Sequence, residues 1–323
     1  MKAWFARHYG GPEVLRLEET PRPAPMAGEV LVRVHATTVN SGDVRVRGCD
    51  FPKGMKLLGR LALGWNGPRQ PILGTELAGV VEAVGEGVTR FRRGEAVYGF
   101  PGIKMGGHAE YVVLPETGPM AHLPEGLDFH EAAALCFGGT TALHYLRQAA
   151  LKPGETMLVL GGSGAVGMAL VQLGKQRGAV VSATTSTGNL DLVKGLGADR
   201  VIDYTATDIA TLTDRFDIIA DSVEAMDFAT AQKLLRPQGR YLAIAGTMKE
   251  MLGSLRKGNQ GQRMIAGPAT ERVEDVAELG RLAAAGHYRP HIDRVFPFAE
   301  MPAAHAHVDT GRKRGSVVIA VAE

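Results

Sequence analysis

Gly162, Gly164 and Gly167 stand at the spacing Gly-x-Gly-x-x-Gly, which suits a backbone wrapped around a diphosphate. The first glycine permits a tight turn, the second lets the main chain approach the phosphates, and the third allows a helix to lie close on a strand. Ser163, Ala165 and Val166 between them would present free N–H groups at the positive end of a helix dipole. The spacing alone has little force, because 42 of the 323 residues are glycine. Its setting adds the rest. An apolar run, Leu158-Val159-Leu160, enters the turn, and a helical pattern from Met168 to Leu173 leaves it, the order of strand, phosphate turn and helix.

The surrounding elements repeat that alternation. A second apolar run, Ala179 to Thr184, follows the helix at the distance a right-handed strand–helix–strand unit requires. A helix-like segment, Asn189 to Leu196, leads to Arg200–Tyr204, and the runs Phe216–Asp221 and Gly239–Gly246 come next. Strands alternating with helices predict an α/β fold with a doubly wound parallel sheet and a nucleotide at the carboxyl ends of its strands. The candidate cofactor contacts are accordingly Gly162, Ser163, Gly164, Ala165, Val166 and Gly167 in the turn. Thr185, Ser186, Asn189, Tyr204, Val223, Ala245 and Gly246 join them near the ends of the following strands.

Residues 1 to about 123 have a different texture. Glu29–Val39 alternates over its first half, and Gly79–Gly85, Gly94–Phe100 and Gly107–Pro115 are short runs bounded by glycine or proline. These predict a mainly antiparallel β domain, with a closing strand near Gly315–Val321. The domains are therefore expected at 1–123 with 271–323, around a nucleotide-binding insertion at 124–270. Apolar content of 45%, charged content of 22% and a net charge of +2 are ordinary for a soluble protein and argue for neither nucleic acid nor a membrane surface as partner. The two cysteines, Cys49 and Cys136, exclude a disulfide scaffold and a four-cysteine zinc lobe. Met1–Arg7 runs straight into a strand-like segment without the apolar core of a signal peptide, so the cytoplasm is the expected location.

A set of segments in order resembles the medium-chain dehydrogenase/reductase superfamily over nearly the whole chain, specifically its zinc-free quinone-oxidoreductase branch. The matching pieces are Val39-Asn40-Ser41-Gly42-Asp43 with Arg47-Gly48, Pro71 to Val81, and Val84 to Gly94. Gly139-Thr140-Thr141-Ala142, Gly161 to Gly167, Leu196-Gly197-Ala198-Asp199 and Lys313 to Val318 complete them. The resemblance implies a GroES-like barrel from the first and last segments, a Rossmann domain between them, and a cofactor in the cleft separating the two. It also implies a homodimer paired through an edge strand, for which Arg263–Gly267 is the candidate.

In zinc-using relatives the ion sits on a cysteine, a histidine after a glycine, and a second cysteine. Here those positions carry Asn40, Thr75 and, for the third, Cys136. One thiolate does not hold a tetrahedral zinc, so no zinc is expected, and Cys136 reads as a small buried hydrophobe. His305 and His307, two apart on an expected helix, point to different faces. The second strand of the nucleotide domain ends Thr184-Thr185-Ser186-Thr187-Gly188-Asn189 with no acid to bind a ribose 2′-hydroxyl or repel a 2′-phosphate. NADPH is therefore the expected cofactor and NADH the alternative, although Gly188 and Asn189 stand where related chains often carry arginine or lysine. Ser186 and Asn189 either donate to that phosphate or cap the next helix.

Without a Lewis acid, the reaction needing least help is hydride transfer to an electron-poor carbon, as in a quinone or an α,β-unsaturated carbonyl compound. The resemblance assigns Asn40 to the nicotinamide and substrate, against the plainer reading of a turn residue before Gly42, and Thr140 to the nicotinamide side. Asp43 and Arg47 read as holding the loop. Tyr98 and His108 are candidate proton donors whose plainer role is packing. Met55, Leu58, Ala62 and Trp65, flanked by Lys53, Lys56, Arg60 and Arg69, form either an apolar lid with a basic rim or a surface helix. A second irregular stretch, Met248–Arg263, also carries basic residues. The alternatives are reduction of another activated substrate, such as a halogenated acrylate, and a non-catalytic nucleotide-binding or interaction protein.

Overall fold

In the computed structural model the described residues are 1–50, 56–246, 250, 253, 258 and 260–322, with the backbone alone at 56–58. The chain packs as two compact units, Met1–Phe137 with Glu271–Glu323, and Gly138–Thr270.

In the first unit, β1 (Lys2–Ala6) and β2 (Leu15–Glu19) form an antiparallel pair. A seven-stranded sheet contains β3 (Glu29–Val39), β4 (Leu77–Val84), β5 (Ala96–Gly99), β6 (Tyr111–Pro115), β7 (Met120–His122), β14 (Ile292–Pro297) and β15 (Ser316–Ala320). Its order is β14-β15-β3-β4-β5-β7, with β6 also on β3. Every pairing is antiparallel except β14 with β15. Strand β3 is the spine. Val30, Val32 and Val34 are fully buried in one apolar cluster with Leu77, Val81 and Val97, while Val39 joins a second with Trp4, Leu73, Phe296 and Ile319. The strand near the carboxyl terminus closes onto this spine, Val317 opposite Val39 and Val318 opposite Thr38.

Helix α1 (Ser41–Gly48) follows β3 at once, and α2 (Lys56–Leu63) precedes β4. The segment 124–137, expected with the nucleotide-binding part, packs in the first unit instead. Its short helix α3 (Phe129–Ala133) starts at an Asp128–Glu131 capping box and lies on β3, β4, β5 and β15. Ala132 and Ala133 are fully buried, so the boundary belongs after Phe137, not before Pro124.

The second unit contains α4 from Gly138 onward (the helix runs Cys136–Gln148), β8 (Thr156–Leu160), α5 (Ala165–Gln176), β9 (Val180–Thr185), α6 (Leu190–Gly195), β10 (Arg200–Asp203), β11 (Phe216–Asp221), α7 (Phe228–Leu234), β12 (Leu235–Ala243) and β13 (Arg263–Ala266). Its six strands are all parallel in the order β10-β9-β8-β11-β12-β13. The order reverses at β8, as a doubly wound sheet requires. Consecutive side chains point to opposite faces, and Met157, Leu158, Val159 and Leu160 are all inaccessible. The central strand is therefore covered on both sides, which is why its sequence is a continuous apolar run. No described helix is long and apolar enough to cross a membrane.

Candidate functional site

The glycine turn in the second unit joins β8 to α5 directly. Gly161 has φ +81°, a left-handed conformation that favours glycine. The Gly162 N–H donates to the Thr184 carbonyl at 2.8 Å, and that of Gly164 donates to the Gly161 carbonyl at 3.1 Å, folding the turn back on itself. Gly164 is the N-cap of α5 and offers no side-chain acceptor. The first-turn N–H groups of Ala165, Val166 and Gly167 thus end at an open glycine backbone, the cradle a diphosphate fits.

The ends of β9 and β11 lie against that turn. Val223 lies over Gly161, where an added Cβ would meet its Cγ1 at 2.5 Å. The Tyr204 N–H donates to the Thr185 carbonyl, and the Gly246 N–H to the Ala243 carbonyl after β12. Ser163, Ser186 and Asn189 converge, with Asn189 Nδ2 donating to Ser186 Oγ at 3.1 Å and to Ser163 Oγ at 3.5 Å. Neither Ser186 nor Asn189 makes a side-chain cap bond, so their side chains serve one another and not the helix start. The Thr185 hydroxyl is buried with no partner among the described residues. An orphaned buried hydroxyl at the end of β9 fits an absent polar ligand, and a nicotinamide dinucleotide suits the cradle at the start of α5.

An acid does stand nearby, one strand further on. Asp203 pairs in register with Thr185. Its Oδ2 accepts from Thr187 Oγ1 at 2.6 Å, and its Oδ1 accepts from Thr205 N and Oγ1. The Thr187 and Thr205 hydroxyls hold it below the usual carboxylate range, and both oxygens are occupied. Sequence reasoning passed over Asp203 because only the sheet register brings it beside the end of β9.

In the first unit, Asn40 is the N-cap of α1. Its Oδ1 accepts from the backbone N–H of Gly42 and Asp43, and the Asp43 carboxylate reciprocates to Asn40 N. This capping role is the plainer reading of Asn40, and the geometry contains it. The other end of the amide, Nδ2, donates to Thr75 Oγ1 at 2.6 Å. Asp43 also accepts from Gly74 N at 3.1 Å. Burial pushes its carboxyl up to about 7, with the N–H donors of Asn40, Gly74 and Thr75 opposing. Next along, Glu76 accepts from Thr38 Oγ1 through one oxygen and from Phe137 N through the other. It too is raised by burial to about 7.

Asn40 and Thr75 present an amide and a hydroxyl, and the buried Cys136 thiol is pushed well above its ordinary range by burial, so it holds its proton. That donor set does not suit zinc. Among the described residues no three histidine, cysteine, aspartate or glutamate side chains converge on a metal position.

Other candidates have structural work. Arg47 pairs bidentately with Asp309 and also meets His305 Nδ1 at 3.0 Å. The Tyr98 hydroxyl donates to the Val276 carbonyl, buried. His108 Nε2 donates to the Thr38 carbonyl at 2.9 Å, and burial holds its pKa at about 4, leaving a neutral ring with its proton committed. Thr140 is buried on α4. Trp65 lies just beyond α2 and is 58% exposed. Met55 and the Leu58 side chain, on which the lid idea depends, lie outside the described residues, as does much of 248–259.

Residues 26–125 match the alcohol dehydrogenase GroES-like domain, and residues 196–319 match the zinc-binding dehydrogenase family. Among characterised proteins the chain is similar to 2-methylene-furan-3-one reductase of Solanum lycopersicum, with 34% identity covering 99% of this chain and 79% of that one. It is similar to a quinone oxidoreductase of Pseudomonas aeruginosa, with 32% identity covering 96% and 97%. Among solved structures, the quinone oxidoreductase from Coxiella burnetii superposes with a TM-score of 0.85 at 28% identity, over 100% of this chain and 99% of that one.

Proposed function

The chain belongs to the quinone-oxidoreductase-like branch of the medium-chain dehydrogenase/reductase superfamily and is an NAD(P)H-dependent oxidoreductase, and on that premise we propose that it reduces a quinone or an α,β-unsaturated carbonyl compound with NADPH and without zinc. The observation that carries this reading is the neutral Asn40–Thr75 pair, standing where zinc-using relatives place metal ligands. Such a pair suits substrates already polarised for hydride, because an amide and a hydroxyl stabilise a nascent oxyanion but do not activate a simple alcohol. Relatives named 2-methylene-furan-3-one reductase, NADPH-dependent alkenal/one oxidoreductase and quinone oxidoreductase support the same chemistry.

When bound, the nicotinamide supplies the hydride. The chain's part is to bind and orient. The turn Gly162–Gly167, with Ser163, holds the diphosphate through N–H groups. Thr185, Tyr204, Val223, Ala245 and Gly246 line the remainder of the nucleotide, and Ser186 with Asn189 donates to the 2′-phosphate. Asn40 faces the reacting carbons and Thr140 the nicotinamide. His108, neutral and tied to Thr38, takes no part in proton delivery, which falls to water. Among the described residues strand β13 pairs only with β12, and it is the edge through which two copies join.

Steady-state rates with 9,10-phenanthrenequinone and a simple enone, each with NADPH and NADH, test the reading. Turnover of either acceptor with NADPH preferred supports it. NADH preferred tenfold removes the cofactor assignment, and no turnover of any quinone or enone removes the substrate class.

A further inference from the structure

The loop Gly74-Thr75-Glu76 is held at nearly every polar group. The Gly74 N–H goes to Asp43 at 3.1 Å, and the Gly74 carbonyl accepts from Gly107 N at 3.0 Å. The Thr75 N–H is a further donor to Asp43, and the Thr75 carbonyl accepts from Gly102 N. The Glu76 carbonyl accepts from Thr37 Oγ1, and its carboxyl is pinned by Thr38 and Phe137. The Thr75 side chain therefore projects from a fixed backbone.

Its hydroxyl is oriented as well. Asn40 Oδ1 must face the Gly42 and Asp43 N–H groups, because an amide nitrogen there would oppose donor to donor. That fixes Nδ2 toward Thr75, and Thr75 Oγ1 is the acceptor at 2.6 Å. The Thr75 proton is thus not spent on Asn40, and no described residue accepts it. Thr75 as a whole is buried, with 7% of its surface exposed, and its hydroxyl is held by Asn40.

We propose that the Thr75 hydroxyl is the donor that meets the substrate oxygen on which negative charge gathers during reduction, a role resting on the enone or quinone reading above. In an enone, hydride from the nicotinamide forms a bond to the β-carbon, the carbon–carbon π pair shifts toward the carbonyl, and the carbonyl π pair moves onto oxygen. Thr75 keeps its proton and hydrogen-bonds that oxygen. Water then protonates the α-carbon, so the substrate gains a hydride and a proton while the nicotinamide is oxidised. A donor fixed before the reaction stabilises the developing charge without reorganising.

The test compares wild type with Thr75→Val and Thr75→Ser. The expected result is a fall in kcat on an enone of about 10- to 100-fold for Thr75→Val, with KM changed less, and rescue by Thr75→Ser. The loss should be smaller on a quinone, whose charge spreads over the ring. A second readout is independent of turnover: 4-nitrophenol is titrated in the presence of protein and NADP⁺, its ionisation followed by visible absorbance. The bound phenol should ionise at lower pH with wild type and Thr75→Ser than with Thr75→Val. Equal kcat and equal phenol ionisation in wild type and Thr75→Val overturn the proposal, as does Thr75→Ser failing as badly as Thr75→Val. If wild type reduces neither an enone nor a quinone, the functional reading falls, and the phenol titration still decides for or against the Thr75 donor.

Discussion

A Cβ at position 167 would lie 2.0 Å from the carbonyl oxygen of Gly161, so the first turn of α5 and the end of β8 touch backbone to backbone. At Gly164 the same atom would meet only that oxygen, at 3.6 Å, and φ −83° is open to any residue. The two glycines therefore do different work. Gly167→Ala is expected to destabilise the fold by about 1–3 kcal/mol through overpacking. Gly164→Ala is expected to melt like wild type while losing NADPH affinity about tenfold or more, ~1.4 kcal/mol. Scanning calorimetry and a nucleotide fluorescence titration separate the two. Undiminished affinity in Gly164→Ala would mean that the diphosphate lies elsewhere.

Position 188 is where a cation can be added without disturbing anything. A Cβ there meets no atom within 4 Å, and the nearby Ser186 and Asn189 carry no charge. Gly188→Arg is expected to raise the ratio of kcat/KM for NADPH over NADH by about tenfold, the effect of one charge-assisted hydrogen bond to the 2′-phosphate. An unchanged ratio would place the adenosine ribose away from this turn.

Tyr98 inserts its hydroxyl into the helix Val273–Ala284, donating to the Val276 carbonyl and accepting from Gly280 N. Burial, with the nearby Cys136 thiol adding to it, drives the phenol far above its usual pKa. A group so placed packs and does not deliver protons. Tyr98→Phe is expected to cost about 1–3 kcal/mol, read as a lower Tm, with kcat unaltered. A drop in kcat without a drop in Tm would restore Tyr98 as a proton donor.

Glu76 sits near Asp43 and Lys313, and its carboxyl titrates at about 7 because burial outweighs its hydrogen bonds. An unfolded glutamate ionises near 4.3, so between about pH 4.5 and 7 the folded chain holds a proton the unfolded chain has lost. Stability from this group is full at acid pH and declines as pH rises through that window. His108, held at about 4 by burial, acts in the opposite sense between about 4 and 6.5. Glu76→Gln removes the first effect alone. Its stability should rise relative to wild type by about 1.4 kcal/mol per pH unit across pH 4.5–7, measured by urea denaturation. Parallel curves for the two proteins would contradict the buried, protonated state of Glu76.

Much of the nucleotide half was legible because its signals are local. The glycine spacing, the apolar run of β8 and the helical pattern of α5 lie within twenty residues, and each depends on backbone geometry that few residue types allow. The sheet around it followed from alternation alone. The other half was less transparent. Asn40 could be singled out by resemblance, but nothing in the order of residues says that its amide reaches Thr75, or that Glu76 answers Thr38 and Phe137, because those contacts join segments 35, 38 and 61 positions apart. Asp203 escaped notice for the same reason. The boundary at residues 124–137 was not legible, because nothing in the order of residues says that α3 lies on strands of the first unit and buries Ala132 and Ala133 there.

Conjugate reduction delivers hydride to the β-carbon of an enone. The most direct measurement is a turnover of an enone with NADPH deuterated at the transferable position of the nicotinamide, followed by mass spectrometry and NMR of the product. The expected product is a saturated ketone with deuterium on the β-carbon. Deuterium on the carbonyl carbon of an allylic alcohol, or no transfer to an enone or a quinone, would contradict it.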